Sequence, residues 1–294
     1  MRRPHNQWHE SALLRLLEKK GAIIKKTGAT VEFPLDINVN AGGDWLETPT
    51  TATSTTETAV LGAASYAWAE RVEPINTSMR QEAISAGDPA KQKVNFIKSL
   101  IQNAINSHDE AVEVQMFNSA AVDGMESLAT LMPSTGQPSV GGIDGSSATY
   151  FRNNVDTYLA DGTDLEAVLT DLFNACAKGT GSNLVPTILV SDGDTQALYE
   201  GGLQPQQRFE TSTANGGFKV LKFKDADYCF SQSGSSIVYM FNAKSINLVV
   251  APNAFRSLKE EVRFSNAAAY NRMVYSLMAL CTNNPSRTGA ASVA

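Results

Sequence analysis

The chain is 294 residues long, 43% hydrophobic and 18% charged, with a formal net charge of −6. This length and apolar content suffice to bury a core as one large domain or two ordinary ones, and the charged fraction lies below the roughly 25% of an average soluble domain. Three widely spaced cysteines exclude a disulfide framework and a CxxC zinc ribbon. With no secretory h-region and no apolar run near the ~20 residues that span a bilayer, the sequence predicts a soluble protein made in a reducing cytosol.

The charge is unevenly distributed along the chain. Residues 1–26 carry a net charge of +5, so the remainder carries −11. A basic N-terminal arm, assigned to residues 1–28, suggests contact with nucleic acid or with an acidic neighbouring surface, and a solvated amphipathic helix is the alternative. The cations that could face nucleic acid are Arg2, Arg3, Lys19, Lys20, Lys25 and Lys26.

The first element predicted is a short amphipathic helix within this basic segment. Residues 7–20 place Trp8 and four leucines near helical spacing, and Gly21 is a natural C-terminal stop. The leucines are Leu13, Leu14, Leu16 and Leu17.

Residues 30–77 predict a long two-stranded hairpin. Apolar residues alternate from Val31 to Val39, which is the period of a strand with one buried face, and Pro34 makes it an edge strand. A Gly- and Thr-rich tip follows, and then a second extended stretch from Val60 to Val72. A lone hairpin is marginal in water, and no partner surface is evident nearby. We therefore expect it to reach another subunit through Trp45, Leu46, Tyr66 and Trp68.

Asp88-Pro89 predicts the start of a long helix, with Asp as N-cap and Pro at the first helical position. An apolar stripe at i, i+3, i+4 spacing continues to about Phe117 and includes His108. At 1.5 Å per residue the helix would be about 45 Å long. That length suits a rod that crosses a flat, extended subunit.

Residues 124–153 predict a long ordered loop. The run is rich in glycine, with Gly141-Gly142 permitting positive φ, and Pro133 and Pro138 interrupt any regular element. Loops of this length are uncommon inside compact domains unless they have a role, often packing against another chain.

The second half of the chain predicts alternating helices and strands. A helix capped by Thr163-Asp164 extends to Cys176, a buried strand covers residues 185–190, and a short helix covers residues 195–200. The segment 272–281 suits either a buried helix or a strand. Further strands are predicted at 218–223, 228–230, 237–241 and 246–250.

Candidate catalytic residues are few. Asp192 and Asp194 follow a strand, as in haloacid-dehalogenase-like phosphatases, but Thr195 stands one residue too early and no later acidic pair is evident. The alternative is that the two aspartates end the strand and cap the next helix. His5 and His9 lack the HExxH pattern, and the glycine-rich run at 179–182 lacks a phosphate-loop lysine. We expect no enzyme activity, no metal and no cofactor.

Several motifs in the same order resemble tailed-bacteriophage major capsid proteins. The longest lies in the 124–153 loop, where Tyr150 and Phe151 stand in place of the tryptophan usual in that family. Others are TVEFPL at 30–35, LQPQQRF at 203–209, GFKVLKF at 217–223 and CTN at 281–283. The loop positions that match are Gly124, Leu128, Pro133, Thr135, Gly136, Val140, Gly141, Gly142, Ile143, Asp144, Tyr150, Phe151, Arg152 and Asn153.

The resemblance implies the α+β Hong-Kong-ninety-seven-type capsid fold. Its parts would be an N-terminal arm (1–28), an extended hairpin loop (29–78), a peripheral domain with a spine helix (79–150), an axial domain (151–245) and a return to the peripheral domain (246–294). The implied function is a major capsid protein whose hexamers and pentamers form an icosahedral head around the genome. An encapsulin-like compartment shell is the alternative.

The same resemblance implies partners and a location. A separate scaffolding protein, a portal and a decoration protein are expected, along with non-specific packaged double-stranded DNA and no membrane. The protein would assemble in the bacterial cytoplasm and reside in the virion capsid. Some members of the fold join subunits by an isopeptide bond from a lysine on the extended loop, and this chain has no lysine between Thr27 and Met79. A shell held by non-covalent contacts is therefore expected.

Overall fold

The computed structural model describes residues 11–37, 61–84, 89–179, 181, 184–203, 211–213, 219–263 and 268–294. The hairpin tip with Trp45 and Leu46, and the first ten residues with Arg2 and Arg3, lie outside these ranges.

Six α-helices and a 3₁₀-helix, Pro285–Arg287, occur in the described residues. The predicted long helix, described from Pro89 onward, and the predicted helix ending at Cys176 are both confirmed. The expected N-cap Asp88 lies outside the described residues, and the Asp164 side chain makes no cap hydrogen bond to the second helix. The bounds of the α-helices are α1 Ala12–Lys19, α2 Met79–Ile84, α3 Pro89–Met116, α4 Leu128–Leu131, α5 Leu165–Cys176 and α6 Gly193–Gly202.

Strands in the described residues form two larger sheets and two two-stranded ladders. In chain order they are β1 Ile23–Lys25, β2 Val31–Asp36, β3 Leu61–Tyr66, β4 Ala69–Ser78, β5 Ser139–Val140, β6 Ile143–Asp144, β7 Asn154–Tyr158, β8 Ile188–Ser191, β9 Thr211–Thr213, β10 Lys219–Phe223, β11 Ala226–Phe230, β12 Val238–Phe241, β13 Ile246–Val250, β14 Ser257–Leu258, β15 Val262–Arg263, β16 Ala269–Thr282 and β17 Thr288–Val293.

The six-stranded sheet is built on β16, which spans 14 residues. Along one side β16 pairs antiparallel with β4, from Ala269 opposite Ser78 to Met278 opposite Ala69. Along its other side it pairs with β13, β14 and β15, and β1 extends β13 in parallel. Helix α3 packs on one face of β4 and β16. The ambiguous segment 272–281 is thus a strand, because its pairing with β4 and β13 satisfies the backbone groups of nearly its whole length.

The seven-stranded sheet has the order β7-β17-β12-β8-β11-β10-β9. Helices α5 and α6 cover one face, and the other face joins the main core together with α1. Strands β8 and β12 are buried at every position, as expected of central strands covered on both faces. The division of the chain from sequence placed 246–294 in one unit, but β17 lies between β7 and β12 and so belongs to this sheet.

The observed strand pairing corrects the prediction that residues 30–77 form a single two-stranded hairpin. Strand β2 alternates between buried and exposed positions as its period of two predicts. The second stretch, however, is two strands: β3 pairs with β2, and β4 leaves to pair with β16. The base of the hairpin also has a partner surface in its own chain, since Val31, Phe33 and Leu35 join the main core.

Candidate functional site

The base of the hairpin is anchored to the subunit by Tyr66. This side chain is 3% exposed and meets Phe33 edge to face, with 6.4 Å between ring centroids. Its hydroxyl donates to the carbonyl oxygen of Thr282 at 2.8 Å, at the end of β16. Burial raises the pKa of Tyr66 well above its usual range. The expected contact with another subunit is therefore wrong for Tyr66, because its ring and its hydroxyl are both used inside the chain.

Trp68 follows at the point where β3 gives way to β4. Its indole Nε1–H donates to the carbonyl oxygen of Gly28 at 2.9 Å, and the ring is half-buried. The partly exposed ring leaves apolar area at the foot of the hairpin. Contacts of Trp45, Leu46 and Trp68 with a neighbouring subunit stay a prediction.

The segment from residue 11 to residue 26 is built into the body of the subunit. Helix α1 buries all four of its leucines in the main core, and β1 pairs with β13. Lys20 forms an ion pair with Asp227 at 2.6 Å between Nζ and Oδ2, and its ammonium also donates to the carbonyl oxygen of Thr187 at 3.0 Å. These contacts hold α1 against the seven-stranded sheet.

Some of the cations expected to face DNA are bonded within the chain, and others are exposed. The Lys26 ammonium donates to the carbonyl oxygen of Glu32 at 2.6 Å and lies 3.5 Å from the centre of the Phe33 ring. With Lys20 in its ion pair, these two lysines do not form part of a free basic arm, which corrects the expectation for both. Lys19 and Lys25 are exposed, and their contact with DNA stays a prediction, like that of Arg2 and Arg3.

Glu113 on α3 is a junction that sequence reasoning missed. The residue is 4% exposed, and its Oε1 accepts from the Ser231 hydroxyl at 2.5 Å. Its Oε2 accepts from the backbone N–H of Leu14 at 3.4 Å, in the first turn of α1, where Ser11 provides no side-chain cap. Burial raises the pKa of Glu113, and these hydrogen bonds act in the opposite direction. One carboxyl group thus joins the long helix, the N-terminal helix and the seven-stranded sheet. Its only sequence signal was an acid next to Val112 in the apolar stripe of the helix.

The 124–153 loop is ordered by hydrogen bonds among its own residues. The Arg152 guanidinium donates to the carbonyl oxygens of Gly145 and Ser146, each at 2.8 Å. The Asn153 amide donates to the carbonyl oxygen of Pro133 at 3.1 Å. These contacts explain why an arginine and an asparagine end the motif, since each reaches back across the loop to a carbonyl group.

The same loop packs on the base of the hairpin. Gly141 has a φ of +64°, and its carbonyl oxygen accepts from the backbone N–H of Ser65 at 2.9 Å. A Cβ at this position would lie 2.9 Å from the Cβ of Ala64 and 3.0 Å from the Tyr66 ring. Glycine is required here for both conformation and space. The loop therefore fixes the direction in which the hairpin leaves the subunit.

The aspartates after strand β8 have structural roles. The Oδ1 atom of Asp192 accepts from the backbone N–H of Thr195 at 2.9 Å, which is an N-cap for α6, and Asp194 lies in the first turn. The Ser191 hydroxyl is buried 2.8 Å from the Tyr228 hydroxyl. This geometry is that of a helix cap, as the alternative interpretation predicted.

Other candidate chemical groups are buried. His108 is fully buried on α3, as its place in the apolar stripe predicted. Burial raises the pKa of each cysteine thiol to about 12, which keeps Cys176, Cys229 and Cys281 protonated at neutral pH. Within the described ranges no three His, Cys, Asp or Glu side chains lie close enough together to hold a metal ion. Nor does any helix there have the length and apolar character needed to cross a membrane.

Comparison with protein-family models and with curated protein sequences finds no match. Solved structures do match over the full length. The capsid of a native GTA particle aligns over 100% of this chain and 94% of its own, with a TM-score of 0.66 and 9% sequence identity. The cyanophage A-1(L) capsid covers 98% of this chain and 94% of its own at 0.66 and 10%. The holo-SrpI encapsulin of Synechococcus elongatus covers 99% of this chain and 90% of its own at 0.65 and 10%.

Likeness at these identities establishes the fold. The chain has the α+β Hong-Kong-ninety-seven-type fold that the motif resemblance implied, and that expectation is confirmed. The long helix on the β4–β16 sheet and the separate seven-stranded sheet are its two main parts.

Proposed function

We propose that this chain, which has the fold of these capsid and encapsulin structures, is the major capsid protein of a tailed double-stranded DNA bacteriophage. Copies associate into hexamers and pentamers that tile an icosahedral head around the genome. The observation that carries the proposal is the structural likeness to several phage capsids over nearly the whole length of both chains. The anchored hairpin base supports it, because a rigid base allows the segment beyond residue 37 to bind a neighbouring subunit.

An encapsulin-like compartment shell is the second candidate. It is supported by the match to an encapsulin complex, whose TM-score of 0.65 is close to that of the phage capsids. The two candidates differ in what the shell encloses. Genes for a terminase and a portal beside the gene for this chain favour the phage head, and a gene for a cargo enzyme favours the compartment.

Electron microscopy of the protein, purified after expression with its neighbouring genes, tests the proposal. We expect closed icosahedral particles. Nuclease-protected DNA inside them supports a phage head, and an enclosed second protein supports a compartment. A chain that stays monomeric at every concentration, even with its neighbouring gene products present, contradicts both candidates.

The expected partners follow from the proposal that the chain is a phage capsid protein. A scaffolding protein, a portal and a decoration protein are separate chains in this proposal, and packaged DNA binds without sequence preference. Assembly takes place in the bacterial cytoplasm, and the mature protein resides in the virion.

The mature shell is expected to be held by non-covalent contacts. An isopeptide cross-link between subunits needs an unprotonated amine on the extended loop, and residues 28–78 contain no lysine. Arg71 cannot replace it, because a guanidinium stays protonated. Particles boiled in detergent with reductant should give a single band near 31.5 kDa. A ladder of covalent oligomers under those conditions would contradict this prediction.

The exposed part of the basic segment is expected to retain DNA. Replacing Lys19 and Lys25 by glutamine should lower the salt concentration at which particles release DNA, because fewer phosphate charges are neutralised. A variant that also replaces Arg2 and Arg3 should release it at still lower salt. The matched control replaces exposed Lys98 and Lys222, which removes the same charge outside this segment.

Two outcomes would contradict the DNA-binding role. One is equal salt sensitivity of the Lys19/Lys25 variant and the Lys98/Lys222 control. The other is failed assembly with DNA retention unchanged, which would make the segment a clamp between subunits.

A further inference from the structure

Several strands lie at outer edges of their sheets in the described part of the chain, and three of them carry features that obstruct pairing. These three are β2, β4 and β7. An edge strand presents main-chain N–H and C=O groups to which another chain can pair, which makes it a site of unwanted association. What occupies the outward positions of these strands therefore matters for a subunit that is made in many copies.

On β2 the residues whose main-chain groups face the outer edge include a proline, which has no N–H, and a residue whose carbonyl oxygen already accepts a hydrogen bond. Ser65 lies opposite Glu32 and directs its backbone N–H away from β2, toward Gly141. Glu32 and Pro34 therefore direct their main-chain groups to the outer side of the pair. Pro34 has no N–H to offer, and the carbonyl oxygen of Glu32 already accepts from the Lys26 ammonium at 2.6 Å.

On β4 the outward position at mid-strand is also a proline. The carbonyl oxygen of Met273 accepts from the backbone N–H of Lys259 at 2.9 Å, on the side of β16 that faces away from β4. Pro74 lies opposite Met273, so it is not bonded into β16 and faces the outer edge. A ten-residue edge strand is thus interrupted at its middle by a residue that cannot donate.

At the C-terminal end of β7 two outward N–H groups, one in the strand and one directly after it, are bonded to carboxylates. The carbonyl oxygen of Tyr158 accepts from the last residue of the chain, on the side of β17, so the neighbouring positions point outward. There the N–H of Thr157 donates to Asp156 Oδ1 at 2.9 Å, and the N–H of Leu159 donates to Asp164 Oδ1 at 2.8 Å. Besides using these donors, the two carboxylates place negative charge along the edge.

We infer that β2, β4 and β7 are blocked against main-chain pairing at these positions, so that copies of the chain do not associate by extending a sheet at these three edges. Three different chemical means act at three separate places: proline, a lysine on a carbonyl oxygen, and aspartates on N–H groups. Edges that cannot pair through their main chain prevent unassembled subunits from forming strand-paired aggregates at the high local concentrations that self-association requires. The inference concerns the subunit itself and does not depend on the proposed function.

The test makes main-chain N–H groups available at two of the edges, in the full-length chain, and measures the loss of monomer over time. Pro74→Thr restores an outward N–H, and Asp156→Thr removes the carboxylate from the Thr157 N–H. Each change, and more so the two together, should shorten the lifetime of the monomer several-fold in size-exclusion chromatography, at concentrations where the wild type forms no particles. The lost material should show the infrared band of intermolecular strands.

Two controls separate edge opening from other effects. Val72→Thr introduces the same residue at an outward position of β4 that already has an N–H, and Asp156→Asn keeps the accepting oxygen but removes the charge. Both should behave as the wild type. Monomer lifetimes unchanged in the opened variants, or shortened equally in the controls, would overturn the inference. Loss of monomer together with the near-ultraviolet circular dichroism of the native state reports unfolding and also counts against it.

Discussion

Deletion of residues 42–58 is expected to give a folded, soluble subunit that no longer forms closed shells. The deletion removes the Thr-rich tip with Trp45 and Leu46, which we propose as contacts with a neighbouring subunit. Aromatic and apolar side chains that anchor an interface can each contribute about 2 kcal/mol or more to binding. Since every subunit in a shell repeats the same contact, its loss should prevent closure and not merely weaken it.

The subunit should survive because its own hairpin base remains. The β2–β3 ladder ends where Asp36 lies opposite Leu61, and residues 37–41 and 59–60 are left to connect the strands. The buried Phe33 and Tyr66 are untouched, as is the hydrogen bond from Tyr66 to Thr282. We therefore expect a thermal unfolding midpoint near that of the wild type.

Electron microscopy and calorimetry of the same preparation separate the two effects. The double variant Trp45→Ala/Leu46→Ala is the matched test of the anchors alone, and it should reduce the yield of particles without a change in the unfolding midpoint. Phe33→Ala is the opposite control, because it should lower the midpoint by removing core packing. Closed particles from the deletion at wild-type yield would disprove the role of the tip.

Local sequence signals predicted the elements whose cause is local. The alternation from Val31 to Leu35 gave the correct buried face of β2, because side chains of a strand alternate with a period of two. Pro89 and the apolar stripe gave the correct extent of α3 for the same kind of reason. Where a residue's partner is distant in sequence, prediction failed. Strand β4 was merged with β3 because its partner β16 lies about 200 residues away, and no turn signal marks residues 67–68.

The functional contacts show the same limit. Lys20 was predicted to face DNA on the basis of local charge, but Asp227 meets it from the seven-stranded sheet. Tyr66 was expected at an interface because a lone hairpin needs a cover, and the cover is the end of β16 in its own chain. Ordered motifs succeeded for the fold as a whole, since they depend on the pattern of many residues and not on one pairing.

Replacing Glu113 is expected to loosen the junction between α1, α3 and the seven-stranded sheet. In Glu113→Leu the hydroxyl of Ser231 and the first-turn N–H of Leu14 lose their acceptor while they remain buried. Each of the two abandoned donors costs about 1–3 kcal/mol, so the free energy of unfolding should fall by roughly 2–6 kcal/mol. Hydrogen exchange should rise first in α1, because its N-terminus then has no cap.

The pH dependence of stability distinguishes Glu113 from a merely apolar contact. Because its folded-state pKa is raised by burial, the folded protein retains the proton at pH values where the unfolded chain has released it. The stabilisation is therefore complete below the ordinary pKa of 4.5 and is lost as the pH rises through the raised pKa. Wild-type stability should decrease over this interval, and Glu113→Gln, which keeps an acceptor but cannot ionise, should lack that decrease. Denaturant unfolding of the two proteins from pH 4 upward measures the difference, and parallel curves would show that Glu113 does not titrate in the folded state as described.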